Sequence, residues 1–303
     1  MTESIQQLNQ WSVVTGIIRE IRPWQWYKQG IMFLGILFSK SILELDALVN
    51  LFIGMVAFTA IAGATYIVND IRDLEADRNH PQKRHRPIAS GQVPVGVAAV
   101  FAGILAVLGL IGAYTLGPLF LAILIAYLGQ NFLYSAVLKR IVFVDILVVA
   151  AGFVLRAVAG VVAIDVFLSP WLIMSTFLLA LVLAIGKRRN ELEITADPTE
   201  SRQVLHAYSE GDLDHLLVMT MSTLLMAYSL YTFSRTDYMM MVTIPFAFFG
   251  VFRYHHLVHT TQVAGQPEYI LTDRPSIVNF VLWSVTTILI LYNIPQIIIE
   301  VVL

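Results

Sequence analysis

A chain of 303 residues with 57% hydrophobic residues, 13% charged residues and a mean hydropathy of +0.74 is too apolar for a soluble domain, whose surface is largely polar. A net charge of −2 provides no whole-chain field for nucleic acid, so any phosphate binding must rest on local clusters of bases. The lack of cysteine excludes disulfides, thiolate metal sites and a cysteine nucleophile.

The first 28 residues are polar and amphipathic, without the short apolar core and small-residue cleavage site of a removable leader. Trp24, Trp26 and Tyr27, between Arg22 and Lys28, read as an aromatic belt at a membrane interface. Apolar stretches of about 18 to 25 residues, long enough to cross the hydrocarbon core as helices, follow at 30–47, 49–68, 95–115, 118–138, 142–164, 168–186, 213–234, 238–257 and 277–299. They predict an all-α polytopic membrane protein of nine transmembrane helices, forming a single integral-membrane domain over 1–303. Lys40, Glu44 and Asp46 make the first stretch the weakest.

Only the connections 69–94 and 187–212 are long and strongly polar, and an even number of crossings places both on one face of the membrane. Of the 19 Lys and Arg, only Lys40, Arg156 and Arg235 lie outside the N-terminal arm and the even-numbered connections. The positive-inside rule therefore puts the N-terminus and both loops on the cytoplasmic side of the inner membrane, where they form the active-site face.

The stretch 69–91, NDIRDLEADRNHPQKRHRPIASG, carries the most chemistry. If the helix entering it continues, Asp70, Asp73 and Asp77 lie within about 60° of one another at ~100° per residue. Three carboxylates on one face repel unless a cation compensates them, and such hard oxygen ligands suit Mg²⁺. Asn69 adds a carbonyl oxygen or orients a phosphate. Lys83 and Arg86, in a basic turn bounded by Pro81 and Pro87, supply phosphate donors. The combination suits a diphosphate shared between Mg²⁺ and basic side chains.

Further along, Tyr134, Lys139, Asp145 and Arg156 are polar groups in or beside apolar segments, costly unless paired or facing a wet cavity. Asp145 and Arg156 lie close to three turns apart on one helix face; for each, an interhelical pair and a substrate role are equally open. Lys139 fits a phosphate ligand near the cytoplasmic mouth. The 206–215 stretch, HAYSEGDLDH, reads as a solvated loop, and His255, His256 and His259 as an interfacial segment.

The run NDxxDxxxD followed by HPxKxxRPIASG resembles the first aspartate-rich motif of the UbiA-type intramembrane prenyltransferase superfamily, and the resemblance extends from RPWQWYK at 22–28 to RYHHLVHTTQVAGQPEYILTDRP at 253–275. It implies a nine-helix UbiA-like bundle with a Mg²⁺–diphosphate site in which Asp70, Asp73 and Asp77 are the metal ligands. Most members carry a second aspartate-rich motif after the sixth span; here stands GKRRNELEITAD. Lys187, Arg188 and Arg189 at that place favour a metal-free phosphate contact, with Glu191 positioning a lysine or a ribose hydroxyl. GKRxxEL, with LYSAVLKRIVFVDILVVAAGFVLRAVAG at 133–160, resembles the decaprenyl-phosphate phosphoribosyltransferase branch. That resemblance implies 5-phosphoribosyl diphosphate as donor, a polyprenyl phosphate as acceptor and Mg²⁺ as cofactor, with Lys28, Asn69, Lys83, Arg86, Tyr134, Lys139, Arg156, Lys187, Arg188 and Glu191 as substrate-binding candidates. The rival readings are a prenyltransferase acting on an aromatic or other acceptor and an anionic-solute transporter. The second predicts charge near the bilayer midplane, whereas most charge here lies at one face.

Overall fold

A computed structural model describes residues 12–81, 83–194, 203–234, 238–260 and 267–294, and every regular element among them is helical. They comprise α1 (12–20), α2 (Phe33–Phe38), α3 (Leu45–Arg72), α4 (Leu74–Asn79), α5 (Val95–Thr115), α6 (Pro118–Ala136), α7 (Val144–Ala163), α8 (Pro170–Ile194), α9 (Glu210–Phe233), α10 (Ile244–Thr260) and α11 (Arg274–Leu291), joined in part by short 3-10 turns. Seven of these, α3, α5 to α9 and α11, are long and apolar enough to cross a membrane.

Two predicted spans take other forms. The first, over 30–47, is not one continuous helix: a 3-10 segment Pro23–Met32 runs into the six-residue α2, and the chain turns through Lys40 at φ +67° before α3 begins. Ser39, Lys40, Ser41 and Glu44 fall in that turn and interrupt the apolar run. The eighth, over 238–257, is met by a 3-10 turn Met239–Thr243 leading into α10, which has 17 residues. The 187–212 connection is also shorter than its polarity suggests, because α8 carries the helix on to Ile194.

The chain divides into two compact units, the first made of Met1–Ile36, Glu44–Ala136 and Val158–Val166, the second of Leu37–Leu43, Val137–Ala157 and Phe167–Leu303. In the first unit α3 is the axis. Its small residues Gly54, Ala57, Ala62 and Ala64 are buried. A Cβ on Gly109 of α5 would stand 2.9 Å from the Ala57 carbonyl oxygen and 2.8 Å from Ile61, so α3 and α5 approach as only small residues allow. This is how helices associate in lipid, where apolar burial alone gives little preference for a partner. The other face of α5, with Val100, Val107, Leu108 and Ile111, stays exposed, as a lipid-facing surface requires. Ala64, Ile67, Ile88, Val93, Ala98 and Ala102 form a buried cluster, so Ile88 and Val93, downstream of the basic turn, are core positions.

In the second unit Leu213, Leu217 and Met221 of α9 pack with Val182 and Ile185 of α8, Ile146 of α7 and Tyr254 and Val258 of α10. Ser209 starts α9 by a capping box: its hydroxyl accepts the Asp212 N–H at 3.1 Å, and the Asp212 carboxylate accepts from the Ser209 N–H. Asp273 caps α11 through the Ser276 N–H at 3.0 Å.

Candidate active site

The first unit gathers the aspartates. α3 ends at Arg72, Asp73 takes a non-helical conformation (φ −91°, ψ 10°), and α4 resumes at Leu74. The predicted single helix is thus broken at Asp73, yet Asp73 N–H still donates to the Asn69 carbonyl at 2.9 Å and Asp77 N–H to the Asp73 carbonyl at 2.8 Å. The spiral is preserved across the break. Asp70 and Asp77 remain on the inner side, 4% and 3% exposed, while Asp73 is half-buried.

Two arginines meet these buried carboxylates. Arg22 Nη2 donates to both oxygens of Asp70, at 2.8 and 2.7 Å. Arg86 Nη1 donates to Asp70 Oδ1 at 2.8 Å and to Asp77 Oδ2 at 2.7 Å, bridging the pair. Charges this deep are tolerable only when paired. Arg22 sits at φ +50°, in the left-handed region, between α1 and Pro23, and its guanidinium also lies over the Tyr66 ring at 4.9 Å. Strain of this kind persists only where surrounding contacts hold it.

Glu20, 2% exposed, completes the group. Its Oε1 accepts the Ile88 N–H at 2.9 Å, tying α1 to the segment that follows the basic turn. Burial, and then the neighbouring Asp70 carboxyl, push its pKa up to about 7. Asn69 accepts a 2.6 Å hydrogen bond from the Ser135 hydroxyl on α6. Lys28 is half-buried and donates to Gln25 Oε1 at 3.0 Å, Lys83 and Tyr134 are half-buried, and Trp24 and Trp26 are exposed.

The second unit holds the remaining candidates in a different arrangement from a simple basic patch. Of the three successive bases in α8, only Lys187 is exposed; Arg188 and Arg189 are buried. Arg188 Nε donates to Asp145 Oδ2 at 2.7 Å and its Nη1 to Glu191 Oε2 at 2.6 Å. Asp145, fully buried, is therefore in an interhelical pair, and its other oxygen accepts the Tyr208 hydroxyl proton at 2.8 Å. That hydroxyl in turn accepts the Phe143 N–H at 2.7 Å, holding Phe143 at φ +66° beside the 3-10 turn Leu138–Arg140 that carries the half-buried Lys139. Arg189 pairs with Glu193 and with Asp214, which also meets His259 Nε2 at 3.2 Å. Arg156, buried in α7, donates to the Gly152 carbonyl at 2.9 Å and lies over the Phe153 ring.

The expected solvated loop at 206–215 is thereby corrected: Tyr208 is 6% exposed and Asp214 is an ion-pair partner. Val204, Leu205 and Tyr208, at i, i+1 and i+4, were the available signal of a buried face. Arg22, Glu20 and Ser135 had no such signal, since their partners lie 48, 68 and 66 residues away.

Among the described residues no three His, Asp or Glu side chains stand together in a metal-holding arrangement as they are placed here. The donor set nevertheless fits Mg²⁺: hard carboxylates on one helical side, two of which already share one cationic nitrogen at 2.7 to 2.8 Å.

Long apolar helices with buried carboxylates and guanidinium groups paired at their ends define an integral membrane protein of the all-helical class. The chain belongs to the UbiA prenyltransferase family, whose pattern matches residues 31–269, and it is a transferase. It is 33% identical over 285 residues to decaprenyl-phosphate phosphoribosyltransferase of Mycobacterium tuberculosis, covering 90% of this chain and 93% of that one. It is 30% identical over 297 residues to the protein of the same name from Corynebacterium glutamicum, covering 94% and 89% of the two chains. A UbiA homologue from Archaeoglobus fulgidus bound to GPP and Mg²⁺ shares the fold at a TM-score of 0.70 and 17% identity, over 91% of this chain and 99% of that one.

Proposed function

We propose that this chain transfers 5-phosphoribose from 5-phosphoribosyl diphosphate to a polyprenyl phosphate of the decaprenyl type, releasing pyrophosphate, in a Mg²⁺-dependent reaction at the cytoplasmic face of the inner membrane. The observation that carries it is the likeness to decaprenyl-phosphate phosphoribosyltransferases over nine-tenths of the chain. In this reading the eighth apolar stretch crosses the bilayer as the helical run 239–260.

Asp70, Asp73 and Asp77 would hold Mg²⁺, which when bound neutralises the diphosphate and the departing pyrophosphate. Lys28, Lys83 and Arg86 bind diphosphate oxygens, and Asn69 and Tyr134 orient the donor. Lys139, Lys187 and Arg156 are the residues assigned to the second phosphate group. Arg188, locked on Asp145, acts by aiming Glu191 at a ribose hydroxyl or at a lysine. A polyprenyl phosphate is an anion at neutral pH, so its attack on the anomeric carbon needs no strong general base. What the protein contributes is alignment of two anions and relief of their repulsion.

The prenyltransferase alternative retains a foothold in the family's name and in the fold shared with a GPP-bound homologue. Against it stands the end of α8, where Lys187, Arg188 and Arg189 occupy the place of a second aspartate cluster. The test uses purified protein, polyprenyl phosphate, Mg²⁺ and ribose-labelled phosphoribosyl diphosphate, with an Asp73→Ala control. Label entering organic-extractable lipid, lost without Mg²⁺ and in the variant, supports the proposal. Absence of labelled lipid alongside consumption of a prenyl diphosphate overturns it in favour of the alternative.

A further inference from the structure

We infer that Arg86, assisted by Arg22, is a resident counter-ion of the Asp70–Asp77 pair that yields its seat to the metal and passes to the diphosphate. The inference rests on the metal role proposed above for these aspartates and adds how the site is loaded.

The geometry makes the seat exclusive. Arg86 Nη1 lies between Asp70 Oδ1 and Asp77 Oδ2 at 2.8 and 2.7 Å, and Arg22 Nη2 contacts both Asp70 oxygens. Mg²⁺ binds carboxylate oxygen at about 2.1 Å. A cation held by both carboxylates needs the space between Asp70 and Asp77 that the Arg86 nitrogen now fills. Metal and guanidinium are therefore competitors for one position.

Charge decides which arrival succeeds. Asp70 and Asp77 are the carboxylates that the two guanidinium groups contact, so a bare divalent cation that takes them leaves both arginines without those partners. A metal arriving on a diphosphate brings the anionic oxygens that those guanidinium groups need, and bidentate pairing with phosphate is what arginine does best. The site thus favours a metal–diphosphate complex over either part alone.

The parts that must move are the ones free to do so. The Arg86 and Arg22 side chains are 31% and 19% exposed, whereas those of Asp70 and Asp77 are 5% and 4%. Around Arg86 the backbone is pinned: its N–H donates to the Lys83 carbonyl at 2.9 Å, its carbonyl accepts from Ser90 N–H at 2.8 Å, and Ile88 is tied to Glu20. Exchange requires only that a guanidinium swing outward over fixed carboxylates.

The test is Mn²⁺ binding to the full-length protein in detergent, followed by electron paramagnetic resonance with and without inorganic pyrophosphate. Wild type should bind Mn²⁺ weakly alone and tightly with pyrophosphate. Arg86→Gln should bind Mn²⁺ alone about tenfold more tightly than wild type, in the ordinary range of coupling between sites, and should lose most of the pyrophosphate enhancement. Arg84→Gln removes an equal charge from the same basic turn without touching Asp70 or Asp77, and should change Mn²⁺ affinity by less than about twofold because an exposed charge is screened. If Arg86→Gln does not yield folded protein, Arg22→Gln decides, with tightening of Mn²⁺ alone again expected. Unchanged or weaker Mn²⁺ binding in the deciding variant, with the ternary complex intact in wild type, overturns the exchange and leaves the metal site standing. Equal tightening by Arg84→Gln also overturns it. No Mn²⁺ bound in any state, pyrophosphate included, overturns the metal role and the exchange together.

Discussion

One nitrogen of Arg86 is shared by Asp70 and Asp77, two buried carboxylates on successive helices that meet at Asp73. Removing the guanidinium leaves two like charges without their bridge in a poorly hydrated place. Arg86→Leu should therefore destabilise the protein by about 3–5 kcal/mol. Adding Asp77→Asn to Arg86→Leu should recover part of that loss, because one of the stranded charges disappears. Thermal unfolding in a single detergent, followed by tryptophan emission, measures both; equal losses for the single and the double variant would contradict the bridge.

Tyr208 links two groups with one hydroxyl, accepting from Phe143 N–H and donating to Asp145. Tyr208→Phe retains the ring and its edge contact with Phe143 but strands a buried carboxylate oxygen and an amide, at a cost of about 1–3 kcal/mol. Asp145→Asn made in the Tyr208→Phe background should cost less than Asp145→Asn alone, since groups in one network do not add. Strict additivity in the double-mutant cycle would remove the link.

Gly160 and Gly103 both lie inside apolar helices, but their surroundings differ. A Cβ on Gly160 would stand 2.2 Å from the Met32 carbonyl oxygen and 2.7 Å from Met32 Cα, whereas nothing lies within 4 Å of one on Gly103. Gly160→Ala should lower stability by about 1–3 kcal/mol through overpacking against backbone. Gly103→Ala should be neutral, or stabilising by up to about 1 kcal/mol through helix propensity. The comparison is made by melting temperature under identical conditions, and a harmless Gly160→Ala would refute the close approach.

Asp273 pairs in a fork with Arg253, at 2.7 and 3.0 Å, and caps α11. The Arg253 guanidinium, and further hydrogen bonds from Ser276, hold its carboxyl well below the usual range. Because the folded value is depressed, the pair's stabilisation is present above the unfolded value of 3.8 and is lost as pH falls below it. Asp273→Asn keeps a competent cap but no titrating charge. Between about pH 5 and pH 3 the wild-type melting temperature should fall more steeply than that of the variant; parallel slopes would show that the pair does not carry this pH dependence.

Membrane embedding, helical class and the aspartate-rich segment were legible in the sequence because each is a local property: apolar length, residue spacing and the neighbourhood of one motif. Asp70 and Asp77 do share an inner side, and the likeness read from 22–28, 69–91 and 186–192 agrees with the family and with the relatives found. The partners of those residues were not legible. Arg22 looked like a topological base and Glu20 like part of a polar arm, yet Arg22 meets Asp70 across 48 residues and Glu20 meets Ile88 across 68. Arg188 and Arg189 looked like one basic patch with Lys187, but successive residues on a helix point about 100° apart, so the fold turned two of them inward to Asp145 and Asp214 and left Lys187 outside. The sequence alone determined which charges the chain carries into the membrane boundary and on which segments. Only the tertiary structure decided which of them neutralise one another, because burial makes an unpaired charge intolerable and long-range packing alone chooses its partner.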